Sequence, residues 1–443
     1  MKTIKSIYLA PLVYYSLVIL ILLFILAFVF PFVFNFALLF TSIFGLLLVT
    51  DIFILYGTPK GIFARRAVPE RLSNGDTNAI SIYLENHYAL GMSLEVIDEI
   101  PFQFQKRDLL FLTQLASETT QIIQYTLRPT KRGEYSFGAV NIFVKSPLGL
   151  LKKRYQFSQE KTVAVYPSFL QMREYELKAL SNRLTETGIK KIRRIGHSQE
   201  FEQIRQYVQG DDIRTINWQA TARRSELMVN TFQDEKSQNI YCLIDKGRVM
   251  KMPFEGLSLL DYAINSTLVL ANIALQKQDK AGVITFSNKI DQTLLADRKA
   301  GQLVKILDLL YKQKTLYSET DYEAVYIHTK KYLKQRSLLI CYTNFDTLSS
   351  MKRQLPFFRK LAKEHLVLVV FFENTSLKTL LQTQPTTTEE IYQKTIAEKY
   401  FYEKQLIVKE LEKFGIQALL TTPQNLSINT INKYLMLKAR GAI

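Results

Sequence analysis

The chain has 443 residues and a net charge of +17, from 57 Lys and Arg against 40 Asp and Glu. That length asks for two or three folded units, and the basic excess points to an anionic neighbour such as a membrane surface, a nucleic acid or an acidic protein. The two cysteines, Cys242 and Cys341, exclude a disulfide framework or a cysteine metal cluster; both lie in apolar runs and read as buried free thiols, compatible with a reducing compartment.

No charged residue lies between Lys5 and Asp51. A single bilayer crossing needs roughly 20 residues, and this run is long enough for two. Pro31 and Asn35 interrupt its middle. The expectation is a transmembrane helical hairpin over 1–57, with spans near 8–29 and 36–56. A signal peptide would have a shorter apolar core and a small-residue cleavage site. Lys2 and Lys5 precede the first span, Lys60, Arg65 and Arg66 follow the second, and the connecting turn has no basic residue. The positive-inside rule then puts both termini and the soluble parts on the cytoplasmic side of an inner (cytoplasmic) membrane.

Residues 58–168 switch to a period of two. Ile80, Ile82 and Leu84 alternate with Ser81, Tyr83 and Glu85, and Ile123, Tyr125 and Leu127 share a face, as do Val140, Ile142 and Val144. Val163 and Val165 repeat the pattern, with turn signals at Asn74-Gly75-Asp76 and Lys131-Arg132-Gly133. This predicts an antiparallel β-sandwich module that packs and positions rather than catalyses. Residues 169–237 form a junction. From 238 to 443, continuous apolar runs at 239–245, 281–287, 337–343, 365–372 and 416–422 alternate with helical patterns near 257–277, 300–313, 322–334, 349–363, 388–414 and 426–439. Strands without alternation between helices predict an α/β domain with a mostly parallel, Rossmann-type sheet, whose chemistry belongs at the carboxyl ends of its strands, after Asp245, Ser287 and Thr343.

The chain contains no phosphate-binding glycine loop, no His-Glu-x-x-His and no nucleophile elbow. His87, His197, His328 and His365 are scattered, and His365 opens an apolar strand as a satisfied structural histidine would. The run KKIRRI at 190–195 lacks interleaved aromatics and reads as a solvated or membrane-facing linker, so no nucleic acid is expected. In QYVQGDDIRTINWQATARR, Asp211 and Asp212 would be a catalytic acid pair in one reading. Adjacent carboxylates point apart, and the simpler reading is a turn and helix N-cap at one of them.

The segment around these residues resembles domain-of-unknown-function family 58. Phe201, Glu202, Arg205, Tyr207, Gly210, Asp211, Arg214, Ile216, Asn217, Trp218, Ala222 and Arg223 stand at the positions of its signature. Upstream, RGEY and SPLGL look like two further family elements. The resemblance implies a membrane-tethered relative of von Willebrand factor A domains that works with MoxR-type AAA+ ATPases as an adaptor or substrate. It implies no established catalysis, no cofactor and no small-molecule substrate. A metal-ion-dependent adhesion site in such a domain needs Asp-x-Ser-x-Ser plus a later threonine and aspartate, all oxygen ligands suited to Mg²⁺. Here Asp245 is kept, but Gly247 and Val249 replace both serines. Thr320 and Asp321 offer a middle ligand, Thr343-Asn344 replaces Thr-Asp, and Asp346 is near. Weak or absent metal binding follows, with Lys246 or Arg248 in the vacant cation position. The functional expectation is a non-enzymatic, membrane-anchored interaction protein. The alternatives are a metal-dependent ligand-binding module at the degenerate site and a hydrolase using Asp211 or Asp212. Trp218 is expected to be the apolar plug of the junction.

Overall fold

In the computed structural model, which describes residues 6–106, 109–173, 200–209, 211, 213–233, 237–374, 381, 385 and 387–442, the apolar N-terminal stretch forms helices α1 (Pro11–Val29) and α2 (Val33–Gly57). Both are long and apolar enough to cross a bilayer. The first helix begins later than position 8 because Ile7–Leu9 pairs instead as a short strand, and because Pro11 occupies the first helical turn, where its missing N–H costs nothing. The basic run at 190–195 and His197 lie outside the described residues. The chain divides into two compact units, Met1–Tyr166 and Pro167–Ile443.

Behind the helices, the first unit is β-rich. Strands β1 (Ile7–Leu9), β5 (Met92–Asp98), β6 (Leu110–Leu115), β9 (Val140–Lys145) and β10 (Leu151–Phe157) form a sheet in the order β1-β10-β9-β5-β6. Strands β2 (Ile62–Ala67), β4 (Asn78–Asn86) and β7 (Thr120–Leu127) form another, and β3 (Arg71–Ser73), β8 (Gly133–Phe137) and β11 (Lys161–Tyr166) a third. The period-two residues Ile80, Ile82, Leu84, Leu127, Val140, Ile142, Val144, Val163 and Val165 all face one shared core. The pairing is antiparallel except between β3 and β11, which run parallel.

Both upstream family elements have structural work here. In RGEY, the Tyr135 ring is buried and its hydroxyl donates to the Lys131 carbonyl at 2.8 Å. In SPLGL, Gly149 sits at φ +72°, a left-handed turn that glycine takes without steric cost. That turn aims a set of donors at Asp51, the one acidic residue of α2, which is fully buried. The Asp51 carboxylate accepts the Ser146 hydroxyl and the N–H groups of Leu150 (3.1 Å) and Leu151 (2.8 Å). One turn further on, the Leu55 carbonyl, orphaned near the helix end, accepts from Lys153 Nζ and the Tyr88 hydroxyl, both at 2.8 Å. The second helix is thus hydrogen-bonded into the β module by side chains, not merely joined to it by chain. Arg66 departs from its expected place in the basic membrane flank. It turns inward, pairs with buried Asp98 and donates to the carbonyls of Gly138 (2.8 Å) and Gln159 (2.7 Å).

In the second unit, β14 (Asn239–Asp245), β17 (Lys280–Phe286), β18 (Ile290–Asp297), β19 (Leu338–Tyr342), β20 (Leu366–Phe372) and β21 (Gln417–Thr421) form one sheet, ordered β18-β17-β14-β19-β20-β21. All neighbours are parallel except β17 and β18. Along β14, Ile240, Cys242 and Ile244 face helices α4 (Leu259–Gln276), α5 (Gln302–Tyr311) and α9 (Leu426–Ala439). Tyr241 and Leu243 face α6 (Tyr322–Tyr332), α7 (Leu348–Glu364) and α8 (Thr388–Lys413). Burial on both faces explains why these strands read as unbroken apolar runs. Cys242 and Cys341 are both buried free thiols on adjacent strands, but they belong to opposite faces, so they cannot bridge. His365 is buried, as expected of a structural residue, yet neither ring nitrogen has a partner among the described residues. Burial lowers its pKa and favours the neutral ring, with the Glu364 charge acting the other way.

Candidate functional site at the carboxyl ends of the central strands

The parallel strands bring Asp245, at the end of β14, against Thr343, which follows β19. Asp245 is fully buried, and its carboxylate is ringed by donors. Oδ1 accepts the Gly247 N–H and the Thr320 hydroxyl, both at 2.7 Å. Oδ2 accepts the Thr343 hydroxyl at 2.7 Å and the Tyr322 hydroxyl at 3.3 Å. Tyr322 and Thr343 lie 2.5 Å apart through their hydroxyls. No basic side chain contacts the carboxylate among the described residues. Burial therefore raises the Asp245 pKa, with the four donors acting the other way.

A Mg²⁺ site fits this arrangement poorly. Gly247 and Val249 supply no oxygen where a metal-ion-dependent adhesion site has serines, and the space for one is taken. A Cβ built at Gly247 would lie 2.2 Å from Thr320 Oγ1 and 3.0 Å from Asp245 Oδ1. Asp321 is committed elsewhere: it caps α6, accepting from the N–H groups of Glu323 (2.8 Å) and Ala324 (3.2 Å). Asp346 is exposed beside the cleft. Gly247→Ser is expected to destabilise the domain by about 2 kcal/mol through overpacking, with no Mg²⁺ heat in titration calorimetry. A Mg²⁺-dependent gain in stability would show that the loop rebuilds into a metal site.

Of the two cations the sequence suggested, Arg248 lines the cleft, but the cation bonded beside it is neither of them. Lys246 turns away to pair with Asp291 at 2.6 Å. Instead Lys404, from α8, buries its ammonium against the loop after β19. It donates to Asn344 Oδ1 at 2.8 Å and to the Phe345 carbonyl. Burial pushes its pKa down to about 8, and the Asp346 charge opposes that shift. A signal for it was available: Ala397, Lys404 and Leu411 recur every seven residues and are all buried, so the lysine stands on the apolar stripe of its helix.

The signature segment contributes no described residue to the lining of this cleft. Strands β12 (Glu200–Gln206) and β13 (Met228–Gln233) form a hairpin ladder, with helix α3 (Trp218–Arg224) between them. Phe201 and Glu202 belong to β12, while Gly210 and Asp212 fall outside the described residues. The N-cap is Asn217, not Asp211 or Asp212. Its Oδ1 accepts the Ala220 N–H at 3.0 Å, and its Nδ2 donates to Asn230 Oδ1 at 2.9 Å. Asp211 instead accepts from Arg205 Nη2 at 2.6 Å and from the Val208 N–H at 2.9 Å. Those bonds, the Arg205 one first, lower its pKa. Tyr207 joins through its backbone N–H to the Leu227 carbonyl at 2.8 Å, and Arg223 lies in the last turn of α3. Trp218 is not a plug. It is 68% exposed, and Ile213 (70%) and Val208 (60%) are exposed in the same segment.

Residues 203–383 match the family model described as "Protein of unknown function DUF58". The chain is also similar to the "Uncharacterized protein YeaD" of Bacillus subtilis (strain 168), 28% identical over 208 residues, or 45% of this chain and 51% of that protein. The chain thus spans about half the length of the curated relative it matches. Among solved structures, a CARDB domain from Pyrococcus furiosus covers 24% of this chain and 94% of its own at 12% identity, with a TM-score of 0.17. A PapD-like domain of human CEP192 covers 24% of this chain and 84% of its own at 15% identity, with a TM-score of 0.18. Likenesses at such scores carry no argument.

Proposed function

Residues 203–383 belong to the DUF58 family, and from that premise we propose that the chain is a membrane-anchored, non-enzymatic docking protein. In this reading α1 and α2 cross the membrane, and both termini and the folded parts lie in the cytoplasm. The second unit is von Willebrand factor A-like, and its partner is a MoxR-type AAA+ ATPase serving an envelope-related process. The observation that carries the docking role is the exposed apolar set of Val208, Ile213 and Trp218. Exposed tryptophan in a family signature is poor economy for folding and good chemistry for an interface, where large aromatics dominate binding energy.

Two other readings have less support. A metal-dependent module needs open oxygen ligands, whereas the Asp245 oxygens are already occupied by four donors. A hydrolase reading on Asp211 needs a free acid, whereas Asp211 is held by Arg205 and the Val208 N–H; Asp212 lies outside the described residues.

The test is capture from solubilised membranes under nucleotide-trapping conditions. The wild-type chain is expected to retrieve a MoxR-type ATPase. Trp218→Ala is expected to retrieve about tenfold less while its stability stays within about 0.5 kcal/mol of wild type, as for an exposed residue. No ATPase with the wild type, or equal capture by the variant, would overturn this reading.

A further inference from the structure

The two apolar helices fix the level at which a membrane surface meets the β module. Helix α1 has 19 residues, a length of about 28 Å, against about 30 Å for the hydrocarbon of a bilayer. The same number of residues along α2, counted from Val33, ends at Asp51. The antiparallel match is direct. Ser6 precedes Pro11 by as many residues as Tyr56 follows Asp51, and their hydroxyls lie 2.7 Å apart. Pro11 and Asp51 therefore stand at one height, where both helices leave the hydrocarbon. The tyrosines of the two helices, Tyr14, Tyr15 and Tyr56, all lie toward this end, as interfacial aromatics do.

The turn at 146–149 is tied to both helices at that height. Leu150, which follows it, donates its N–H to Asp51 at 3.1 Å, and its carbonyl accepts the Ala10 N–H at 2.9 Å. Pro147 and Leu148, at the tip of the turn, are exposed. The turn at 87–91 leaves the sheet by the same end. Ser93 pairs with Lys145, and Leu90 lies as far before that rung as Leu148 lies after it. Tyr88 of this turn donates to the Leu55 carbonyl of α2, while Ala89 and Leu90 are exposed. Beside the first tip, the Lys145 stem folds across Gly149: a Cβ there would lie 2.7 Å from Lys145 Cε and 3.3 Å from Nζ. One exposed leucine needs no explanation. Two apolar tips and a lysine, gathered where two long apolar helices emerge, form a surface.

We propose that this surface is a seat in the lipid: Leu90, Pro147 and Leu148 enter the boundary between headgroups and acyl chains, and Lys145 meets an anionic headgroup. A lysine stem lies well along apolar surface while its ammonium reaches the phosphates, and such a charge is drawn to an anionic leaflet. The occupant is the bilayer because α1 and α2 carry both turns to its surface. The seat rests on the reading of α1 and α2 as membrane spans and deepens it, since it adds lipid contacts outside the spans and keeps one face of the module toward the membrane.

The experiment uses the full chain in nanodiscs of phosphatidylcholine and phosphatidylglycerol, with nitrobenzoxadiazole on one introduced cysteine. Cys242 and Cys341 are buried and stay unlabelled in the folded chain. The quenchers are lipids with a nitroxide either high on the acyl chain or near its end. In Leu148→Cys and Leu90→Cys the dye is expected to be quenched at least about twofold more by the shallow nitroxide than by the deep one, as for groups at the headgroup boundary. Ile43→Cys, exposed near the middle of α2, should show the reverse order. Phe102→Cys, exposed past the far end of β5, should be quenched by neither. Quenching in Ile43→Cys with none in Leu90→Cys and Leu148→Cys overturns the seat and leaves the spans standing. Quenching at only one of the two turns, or equal quenching in Phe102→Cys, also overturns the seat. An unquenched dye in Ile43→Cys overturns the spans, and the seat with them.

Discussion

Asp245→Ala is expected to destabilise the second unit by about 3 kcal/mol, because it leaves the Thr320 hydroxyl, the Gly247 N–H and one proton of the Thr343–Tyr322 hydroxyl pair without an acceptor around an empty centre. Asp245→Asn should cost far less. Its amide keeps one acceptor, and the surrounding hydroxyls rotate to accept from its nitrogen. The contrast distinguishes a structural node from a metal ligand, which would lose its function in either variant. The two also differ in pH response. Burial raises the Asp245 pKa, so between the unfolded and folded values the native state binds more protons than the unfolded one. Stability from this group is full below the ordinary carboxylate range and is lost as pH rises through the folded value. The asparagine variant should lack that slope. Hydrogen exchange of the β14 and β19 amides in the full chain reads both effects, and equal losses in the two variants would contradict them.

The second large effect is expected at Asp51. Asp51→Leu makes α2 more apolar and so favours membrane insertion, yet it removes the acceptor for Ser146, Leu150 and Leu151. Leaving buried donors unpaired costs about 1–3 kcal/mol for each group. A total on the order of 4 kcal/mol should therefore be lost from the β module, without loss of membrane association. Limited proteolysis of the 146–151 loop in membranes measures it. A variant as resistant as wild type would mean that the anchor and the module are held together by packing alone.

Much of this fold was legible because burial on two faces leaves a simple signature. The strands at 239–245 and 366–372 announce themselves as apolar runs, and the helix at 426–439 coincides with its predicted span. Strand β18 escaped notice because it is an edge strand with polar residues along it, IDQTLLAD, and its antiparallel partner is fixed by tertiary pairing rather than by local pattern. The donor shell of Asp245 joins residues up to 98 positions apart, a distance at which spacing says nothing. Residue type did reveal the missing serines. It could not reveal that Thr320 fills the space at Gly247. The Gly-Asp-Asp motif misled because the helix begins later, at an Asn-Trp pair whose asparagine is the better placed cap. Trp218, expected as a buried plug from its type and its place at the junction, is exposed; large apolar residues are on average buried, and the exceptions are the informative cases.

The central claim is that the signature segment faces a partner, and a photo-crosslinking amino acid placed at Trp218 in cells tests it most directly. The account predicts a covalent adduct with a MoxR-type ATPase, diminished when the ATPase is held in its nucleotide-free state. Crosslinks only within the chain itself, or to lipid, would contradict it.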